Sequence, residues 1–411
     1  MINEIIVHVG MHKTGSSSIQ ETLSKTPMED VEYLSLGSSN HSGFFSTLLS
    51  KHPENYHAHR KNGLNKSQAR ELQKSYVEKL HAVLQGVTKN KVLISAEDLS
   101  SSGNEYCELE YLKEMLLPHC SRIRLIGYVR PPAGYMQSAF QQRMKGGGQN
   151  FFDLEKVYPY YKQSFAKMDA IFGKENVELI AFKRDSLHNG DVVQDFARRI
   201  GVAVEPSQIV RTNESLSLEA TALLFAFRRF GRKLTGYKGY NRDNNRLIAA
   251  LSGLGNQKLV FSESVLSSVF ETNRSDIEWM SQRLGTSIVE EPSTSSQTIG
   301  SEEDLLDVAC ANRLAIWSLL EQEETLSRGG KDLAKLVDRL YMLHAREISP
   351  LLHSENSLFS SVQLELIANS NIQPELLLKT LADALTRNGQ QLAAKKVQRA
   401  SQRAAHLLNK V

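Results

Sequence analysis

Lys13 lies in a glycine-bearing loop, and its position there is unusual for a lysine that binds phosphate. Gly10 and Gly15 have the spacing of a Walker A loop, in which the lysine follows the second glycine directly. This chain has Ser16 at that point, and Lys13 comes two residues before the glycine instead. The loop is therefore predicted to hold a phosphate, but not the β- and γ-phosphates of a nucleoside triphosphate.

The segments on either side of this loop predict an anion site. The run IIVHV at residues 5 to 9 is apolar and β-branched apart from its histidine, which predicts a buried parallel strand. Ser16, Ser17 and Ser18 open the helix that follows, and Glu21 is placed for a capping box. A strand, a tight loop and a helix N-terminus bind anions because unpaired backbone N–H groups and the helix dipole converge there.

Alternating strands and helices continue through the first half of the chain. The further predicted strands are VEYLSL (31 to 36), KVLISAED (91 to 98), IRLIGYVR (123 to 130) and NVELIAF (176 to 182). Helices are predicted over 67 to 84, 108 to 117 and 134 to 145. The Ser, Asn, His and Gly content of residues 37 to 66 predicts a polar loop, which is expected to cover an active site. This order predicts an α/β fold of the P-loop type, with a mainly parallel sheet flanked by helices. Gly10, Glu97 and Arg130 are then expected at the carboxyl edge of the sheet, where ligands bind.

Three regions are predicted along the 411 residues. Residues 1 to 285 form the P-loop-type domain, helical from about 201, residues 286 to 301 have linker composition, and 302 to 411 are helical. The last two helices resemble a tetratricopeptide-like hairpin, without a second copy. The C-terminal helices are candidates for protein contacts. Lys395, Arg399 and Arg403 share a helix face, which is expected to be solvated, with peripheral contact to an anionic membrane as the alternative.

Composition excludes several classes of protein. A net charge of +3 is too small to indicate a nucleic-acid partner. No segment is apolar for long enough to span a membrane, and the first strand begins too close to Met1 for a signal peptide, so a cytoplasmic location is expected. Cys107, Cys120 and Cys310 match no metal or disulfide spacing and are expected to be free thiols.

A second motif, an arginine followed by a serine, comes after a later predicted strand. Arg130 ends a predicted strand, and Ser138 follows it by eight residues. Paired with the loop, this spacing resembles the PAPS-dependent sulfotransferases (PAPS is 3′-phosphoadenosine 5′-phosphosulfate), most of all the bacterial branch that modifies surface carbohydrates. The loop element of the resemblance reads Lys13-Thr14-Gly15-Ser16-Ser17. The similarity covers about residues 3 to 285, including the stretches at 181 to 201 and 211 to 224.

The resemblance implies PAPS as the donor, adenosine 3′,5′-bisphosphate as a product, and no metal. Lys13 would reach the oxygen that bridges phosphorus and sulfur, the loop and its hydroxyls would hold the 5′-phosphate, and Arg130 with Ser138 would hold the 3′-phosphate. The residues expected to bind the donor are thus Lys13, Thr14, Gly15, Ser16, Ser17, Ser18, Arg130 and Ser138.

The acceptor implied by the resemblance is a hydroxyl of a carbohydrate or glycolipid, whose proton needs a base. Glu97 is the first choice and His12 the second. Asp98 is expected to point away if the strand geometry continues, and His8 is expected to be a packed core residue. The acceptor pocket would come from residues 37 to 66, the glycine-rich 146 to 150 and the helices after 211.

Two other functions stay open at this point. A P-loop nucleotide kinase or hydrolase would need a lysine at position 16, which is absent, and an acid to hold magnesium, which ISAED could supply. A non-catalytic assembly protein with a relic nucleotide site is the third possibility. A basic cluster in the helical part, expected to be an ordinary charged face, comprises Arg228, Arg229, Arg232 and Lys233.

Overall fold

The fold is described from a computed structural model, which covers residues 2–211, 215–231, 240–290, 297–320, 337, 382 and 383. The chain divides into two compact units, Met1–Asp338 and Arg339–Val411. In the second unit only Ala382 and Asp383 are described, and both are helical. The predicted terminal hairpin, with Lys395, Arg399 and Arg403, lies outside the described residues. All elements below belong to the first unit.

Within the described residues, five parallel strands form one sheet in the order β2-β3-β1-β4-β5. The strands are β1 (Ile2–His8), β2 (Val31–Tyr33), β3 (Lys91–Ser95), β4 (Cys120–Val129) and β5 (Val177–Ala181). The central strand is buried on both faces, with Ile5, Ile6 and Val7 at 0% exposure, as a continuous apolar run predicts. Each strand lies where the sequence predicts one, and β2 and β3 end earlier than expected.

Helices flank this sheet and make up most of the described chain after residue 200. They are α1 (Ser16–Leu23), α2 (Ser42–Leu49), α3 (His57–Lys61), α4 (Lys66–Gln85), α5 (Tyr106–Leu116), α6 (Pro132–Gly146), α7 (Tyr161–Phe172), α8 (Val192–Ile200), α9 (Leu218–Phe230), α10 (Tyr240–Ser252), α11 (Glu263–Thr272), α12 (Arg274–Leu284), α13 (Glu302–Ala311) and α14 (Arg313–Leu320). The predicted α/β fold of the P-loop type is confirmed.

The expected polar loop over residues 37 to 66 is wrong, because α2, a 3₁₀ turn and α3 occupy much of it. Apolar residues spaced by three and four, Phe44, Phe45, Leu48 and Leu49, are buried on α2. Helix α2 packs against α4, so its apolar stripe outweighs the polar residues around it.

The capping box expected at the start of α1 is also wrong. Gly15 is the N-cap residue in a left-handed conformation, and it has no side chain with which to cap the helix. Glu21 instead pairs with Lys25 at 2.8 Å and accepts a hydrogen bond from Ser39. A glycine at the N-cap provides no capping side chain of its own and lets the backbone turn sharply into α1, which suits an anion-binding helix terminus.

Helix α6 is held in place from the helical part of the chain. Gln141 Nε2 donates to Leu216 O and Thr221 Oγ1, which ties α6 to the start of α9. Arg228 of the basic cluster donates from Nε to Met144 O at 3.0 Å and so caps the end of α6. Arg229 pairs with Glu302 of α13, while Arg232 and Lys233 lie outside the described residues.

The predicted division of the chain at 286 to 301 stays a prediction. Beside its undescribed middle, Ile288 and Ile299 are buried, and Glu290 Oε2 accepts a hydrogen bond from Gly134 N of α6. Helix α13, beyond this segment, packs on α9. No helix in the described part of the chain combines the length and hydrophobicity needed to cross a bilayer.

Candidate functional site

The loop between β1 and α1 turns sharply through three residues in left-handed conformations. Gly10, Lys13 and Gly15 have φ angles of 54°, 70° and 81°. A Cβ on Gly10 would lie 2.8 Å from Ser16 Oγ, and one on Gly15 would lie 2.7 Å from a Val192 methyl group. Both glycines are needed for conformation and for space, whereas Lys13 adopts a backbone that glycine would adopt more easily.

The hydroxyls predicted to bind the donor divide into two groups. Thr14 is fully buried, and its Oγ1 donates to Met11 O at 2.6 Å, so this hydroxyl holds the loop together. Ser16 Oγ is buried with no hydrogen-bond partner among the described residues, at the wall of the cavity beyond the loop. Ser17 lines the same cavity, and Thr14 and Ser18 are outside its lining.

A cavity of about 650 Å³ lies between this loop and α6, and we call it the phosphate-loop cavity. Eight of the ten predicted site residues line it: His12, Lys13, Gly15, Ser16, Ser17, Glu97, Arg130 and Ser138. The loop follows β1 and helix α6 follows β4, and these two strands are neighbours in the sheet. Strand β4 ends at Val129, directly before Arg130. The carboxyl edge of the sheet thus brings together residues that are more than a hundred positions apart.

One face of α6 contributes more residues to this cavity than the sequence analysis identified. Tyr135, Ser138, Gln142 and Lys145 line it, and Arg143 joins them. Their spacing of three and four residues is that of a single helix face. These residues could have been identified from the sequence, because Tyr135, Gln142 and Lys145 are spaced from Ser138 as residues on the same face of a helix are.

The cavity concentrates positive charge. Lys13 Nζ donates to Gln142 Oε1 at 2.7 Å, and Arg130 Nη1 donates to Lys13 O at 2.7 Å. Burial lowers the pKa of Lys13, and the positive charges of Lys145 and Arg130 lower it further despite the opposing charge of Glu97. Burial also lowers the pKa of Lys145 and of Arg130. A bound anion would relieve both the crowding and the desolvation of these cations.

At the mouth of the cavity His12 lies between two carboxylates. Its Nδ1 is 3.6 Å from Glu97 Oε2, and its Nε2 is 3.3 Å from Asp98 Oδ1. The expectation that Asp98 points away is wrong. Strand β3 ends at Ser95, and the 3₁₀ turn over Glu97–Ser100 brings both carboxylates within reach of His12. The side chain of His12 is 44% exposed, compared with 17% for Glu97.

The carboxylates determine the protonation of His12. Burial alone would lower the pKa of His12, but the hydrogen bond and charge of Glu97, together with the charge of Asp98, raise it above 6.5. Burial would raise the pKa of Glu97, yet the hydrogen bond and charge of His12 lower it below its usual value. Glu97 is therefore held as a carboxylate beside an imidazole that binds protons readily.

His8 is a core residue, as expected, although it is the last residue of β1 and not in its middle. Its Nδ1 lies 2.7 Å from Ser95 Oγ. Its ring packs edge-on against the ring of Phe196, with 4.9 Å between the ring centroids. Complete burial lowers the pKa of His8 to about 4, so its ring is neutral in the folded protein at ordinary pH.

Two further cavities meet the phosphate-loop cavity at His12, which lines all three. One of about 540 Å³, which we call the α2 cavity, is lined by residues from Phe45 to His57, by the 3₁₀ turn and by part of 101 to 109. The other, of about 230 Å³, is lined by Arg143, Lys156 and the segment 157 to 160, and we call it the tyrosine cavity.

No protein-family model matches the chain, and no curated protein matches its sequence. A sulfotransferase from Alicyclobacillus acidocaldarius is similar in structure, with 18% identity over 56% of this chain and 92% of that one, and a TM-score of 0.33. A sulfotransferase domain from the curacin biosynthetic pathway has 12% identity over 67% of this chain and 98% of that one, with a TM-score of 0.29. These values are too low to assign an activity, which must come from the residues of the site.

Proposed function

We propose that this protein is a sulfotransferase that moves the sulfuryl group of PAPS to a hydroxyl of a carbohydrate or glycolipid. The observation that carries this proposal is the phosphate-loop cavity, where Lys13, Arg130 and Ser138 meet although they come from two separate segments. A general phosphate site would need only the loop and the start of α1. A donor with phosphates at two ends needs the second, arginine-bearing wall as well.

The residues present fit such a donor. The buried Ser16 hydroxyl, Ser17 and the start of α1 after Gly15 suit the 5′-phosphate, because hydroxyl groups and the helix dipole face the cavity there. Arg130 and Ser138 suit the 3′-phosphate. Gln142 and Lys145 line the same cavity from α6.

In the proposed reaction, the acceptor oxygen bonds to sulfur as the bond from sulfur to the bridging phosphate oxygen breaks. Adenosine 3′,5′-bisphosphate leaves with the electron pair of that bond, and Lys13 stabilises the negative charge that grows on the bridging oxygen. The depressed pKa of Lys13 fits this role, since a partly desolvated ammonium interacts strongly with a developing anion.

His12 is the better candidate to receive the proton of the acceptor hydroxyl, and Glu97 is the better candidate to support it. His12 lines all three cavities, whereas Glu97 lines only the phosphate-loop cavity. The lowered pKa of Glu97 makes it a weaker base, and the raised pKa of His12 makes that imidazole a stronger one. This reverses the order of preference that the sequence suggested.

A calorimetric titration tests the donor. Adenosine 3′,5′-bisphosphate should bind without a metal and more tightly than ATP with magnesium. Preference for ATP would refute the proposal and favour a nucleotide kinase or hydrolase. Binding of the bisphosphate without transfer from PAPS to any hydroxyl compound would favour the assembly protein with a relic site.

The pH dependence of transfer tests the base. If His12 accepts the proton, kcat/KM rises with pH through a pKa above 6.5, because the imidazole must be neutral to act. Glu97→Gln should move this rise to lower pH, since it removes the group that raises the pKa most, and bisphosphate affinity should change little. His12→Gln should lower kcat by about 10²–10⁴-fold.

His81→Gln, which changes a histidine outside all three cavities, is the matched control and should leave the profile unchanged. Loss of activity at every pH in Glu97→Gln, with most activity retained in His12→Gln, would assign the proton transfer to Glu97 instead.

A further inference from the structure

We propose that the α2 cavity takes the acceptor and selects an uncharged sugar over an anionic one. This inference rests on the proposed function and deepens it, because it assigns a side of the molecule and a substrate class to the acceptor. It is carried by the position, the charge and the side-chain chemistry of the α2 cavity, compared with those of the two cavities beside it.

Position and size favour the α2 cavity over the tyrosine cavity. Both open at His12, but the α2 cavity is about 540 Å³ and the tyrosine cavity about 230 Å³. The larger volume lies in the range of pockets that enclose small organic ligands, and the smaller one does not. Asp98, on the other side of His12 from Glu97, lines the α2 cavity.

Charge separates the three cavities. Lys13, Arg130, Arg143 and Lys145 line the phosphate-loop cavity, and Arg143 with Lys156 lines the tyrosine cavity. The residues described in the lining of the α2 cavity include two carboxylates, Asp98 and Glu108, and neither lysine nor arginine. A carboxylated or sulfated acceptor would meet like charge there with no lysine or arginine in the described lining to offset it, which disfavours its binding.

The remaining side chains of the α2 cavity suit a sugar. Tyr56 is half-buried, with the ring of exposed His57 packed against it at a centroid distance of 4.4 Å. Such rings offer a flat surface to the apolar face of a sugar, and their polar atoms can bond to its hydroxyls. The amide of Asn55 and the hydroxyls of Ser46 and Ser50 add uncharged hydrogen-bonding groups.

A buried lysine makes one wall of this cavity rigid without giving it charge. Lys167 of α7 is 3% exposed and donates to three carbonyls, those of Ser101, Ser102 and Asn104. Ser101 lines both the α2 cavity and the tyrosine cavity, so the segment held by Lys167 lies between them. The ammonium of Lys167 therefore bonds to backbone carbonyls of this segment and adds no cation to the described lining of the α2 cavity.

Three matched acceptors test the inference with PAPS as the donor: a methyl glucoside, the corresponding methyl glucuronide and the corresponding methyl glucosaminide. The neutral glycoside should be sulfated with kcat/KM at least about tenfold above that of the glucuronide, which is the scale of discrimination from one unfavourable group. The glucuronide should be the poorest acceptor of the three, and a preference for it over either of the others would overturn the inference.

Paired variants test which cavity is used. Tyr56→Ala should raise the KM for the glucoside several-fold, whereas Tyr160→Ala, the same change in the tyrosine cavity, should not. Asn55→Arg changes an exposed residue, and should improve the glucuronide relative to the glucoside by adding the missing cation. If Tyr160→Ala raises the KM for the glucoside while Tyr56→Ala and Asn55→Arg change nothing, the acceptor does not bind in the α2 cavity.

Bisphosphate affinity is measured by calorimetry for every variant, which separates the two proposals. Unchanged affinity with the wrong acceptor preference overturns only this inference. Failure of the unaltered protein to bind the bisphosphate, with no transfer to any of the three glycosides, refutes the proposed function and this inference with it.

Discussion

The phosphate-loop cavity and the α2 cavity share His12 but are built in different ways. The first draws its groups from residues that directly follow two adjacent central strands, β1 and β4, and it is rich in cations. The second draws on α2, the segment after it and a 3₁₀ turn, and the described residues that line it carry carboxylates without lysine or arginine. Under the proposed function, the residues after the strands would fix the position of an anion, and the connecting segments would shape the pocket for the acceptor.

This difference explains why one cavity can be read from sequence and the other cannot. An anion at a helix N-terminus needs glycines, hydroxyls and a cation within a few residues of each other, so its pattern is local. An uncharged pocket needs only aromatic, amide and hydroxyl groups from several segments, and such residues occur on any surface. Variants in each cavity test whether the two differ in this way.

The largest effect is expected from Lys13→Ala. Loss of the ammonium should lower kcat by about 10²–10³-fold, the range found when one donor to a developing anion is removed. The KM for the acceptor should stay near normal, because the α2 cavity does not include Lys13. Steady-state kinetics with PAPS and the glucoside measures both quantities.

Lys145→Ala is the matched control for that change, since Lys145 lines the same cavity on α6. We expect a smaller loss of kcat than in Lys13→Ala. A larger loss in Lys145→Ala would assign the stabilisation of the leaving group to the helix and not to the loop.

The next largest effect is expected from Arg130→Ala. The variant should weaken adenosine 3′,5′-bisphosphate by about 10–100-fold, the scale of a lost charged hydrogen bond. Adenosine 5′-phosphate, which lacks the second phosphate, should lose much less affinity, as calorimetry would measure. Equal losses for the two ligands would show that Arg130 acts by holding the loop through Lys13 O, its partner at 2.7 Å.

Thr14→Val tests whether a predicted binding hydroxyl acts on the loop instead. It leaves Met11 O without the hydroxyl that donates to it at 2.6 Å, and should lower the free energy of unfolding by about 1–3 kcal/mol. Denaturant titration measures this loss. A large fall in bisphosphate affinity at unchanged stability would return Thr14 to the donor-binding residues.

The smallest effect is expected from salt. Raising ionic strength from low to physiological values should weaken bisphosphate binding several-fold, because four cations line its cavity. The KM for the neutral glucoside should hardly change over the same range. Equal salt dependence on both sides would contradict the contrast in charge between the cavities.

The sheet and most of its helices could be predicted from sequence, because apolar runs and helical spacing are local properties. Helix α2 was missed because Ser, His and Gly surround its apolar stripe. The capping box at α1 was predicted from residue types, but the left-handed Gly15 had already taken the N-cap position. The side on which Asp98 lies could not be predicted, since it depends on the residue at which β3 ends.

The candidate site shows the same division. Lys13, Arg130 and Ser138 were identified because their spacing is distinctive, and Tyr135, Gln142 and Lys145 were missed although they share the helix face of Ser138. The α2 cavity lies partly within residues 37 to 66, where an acceptor pocket was expected. Its lining could not be given because it joins segments that only the fold brings together.

The left-handed backbone of Lys13 has a consequence for anyone who engineers this protein. A side chain at a φ of 70° is a folding cost of the order of 1 kcal/mol, and glycine would avoid it. A stability-guided redesign would therefore choose to replace Lys13, and it would remove the residue to which we assign the stabilisation of the leaving group. If that assignment holds, the most stable and the most active sequences differ at this position.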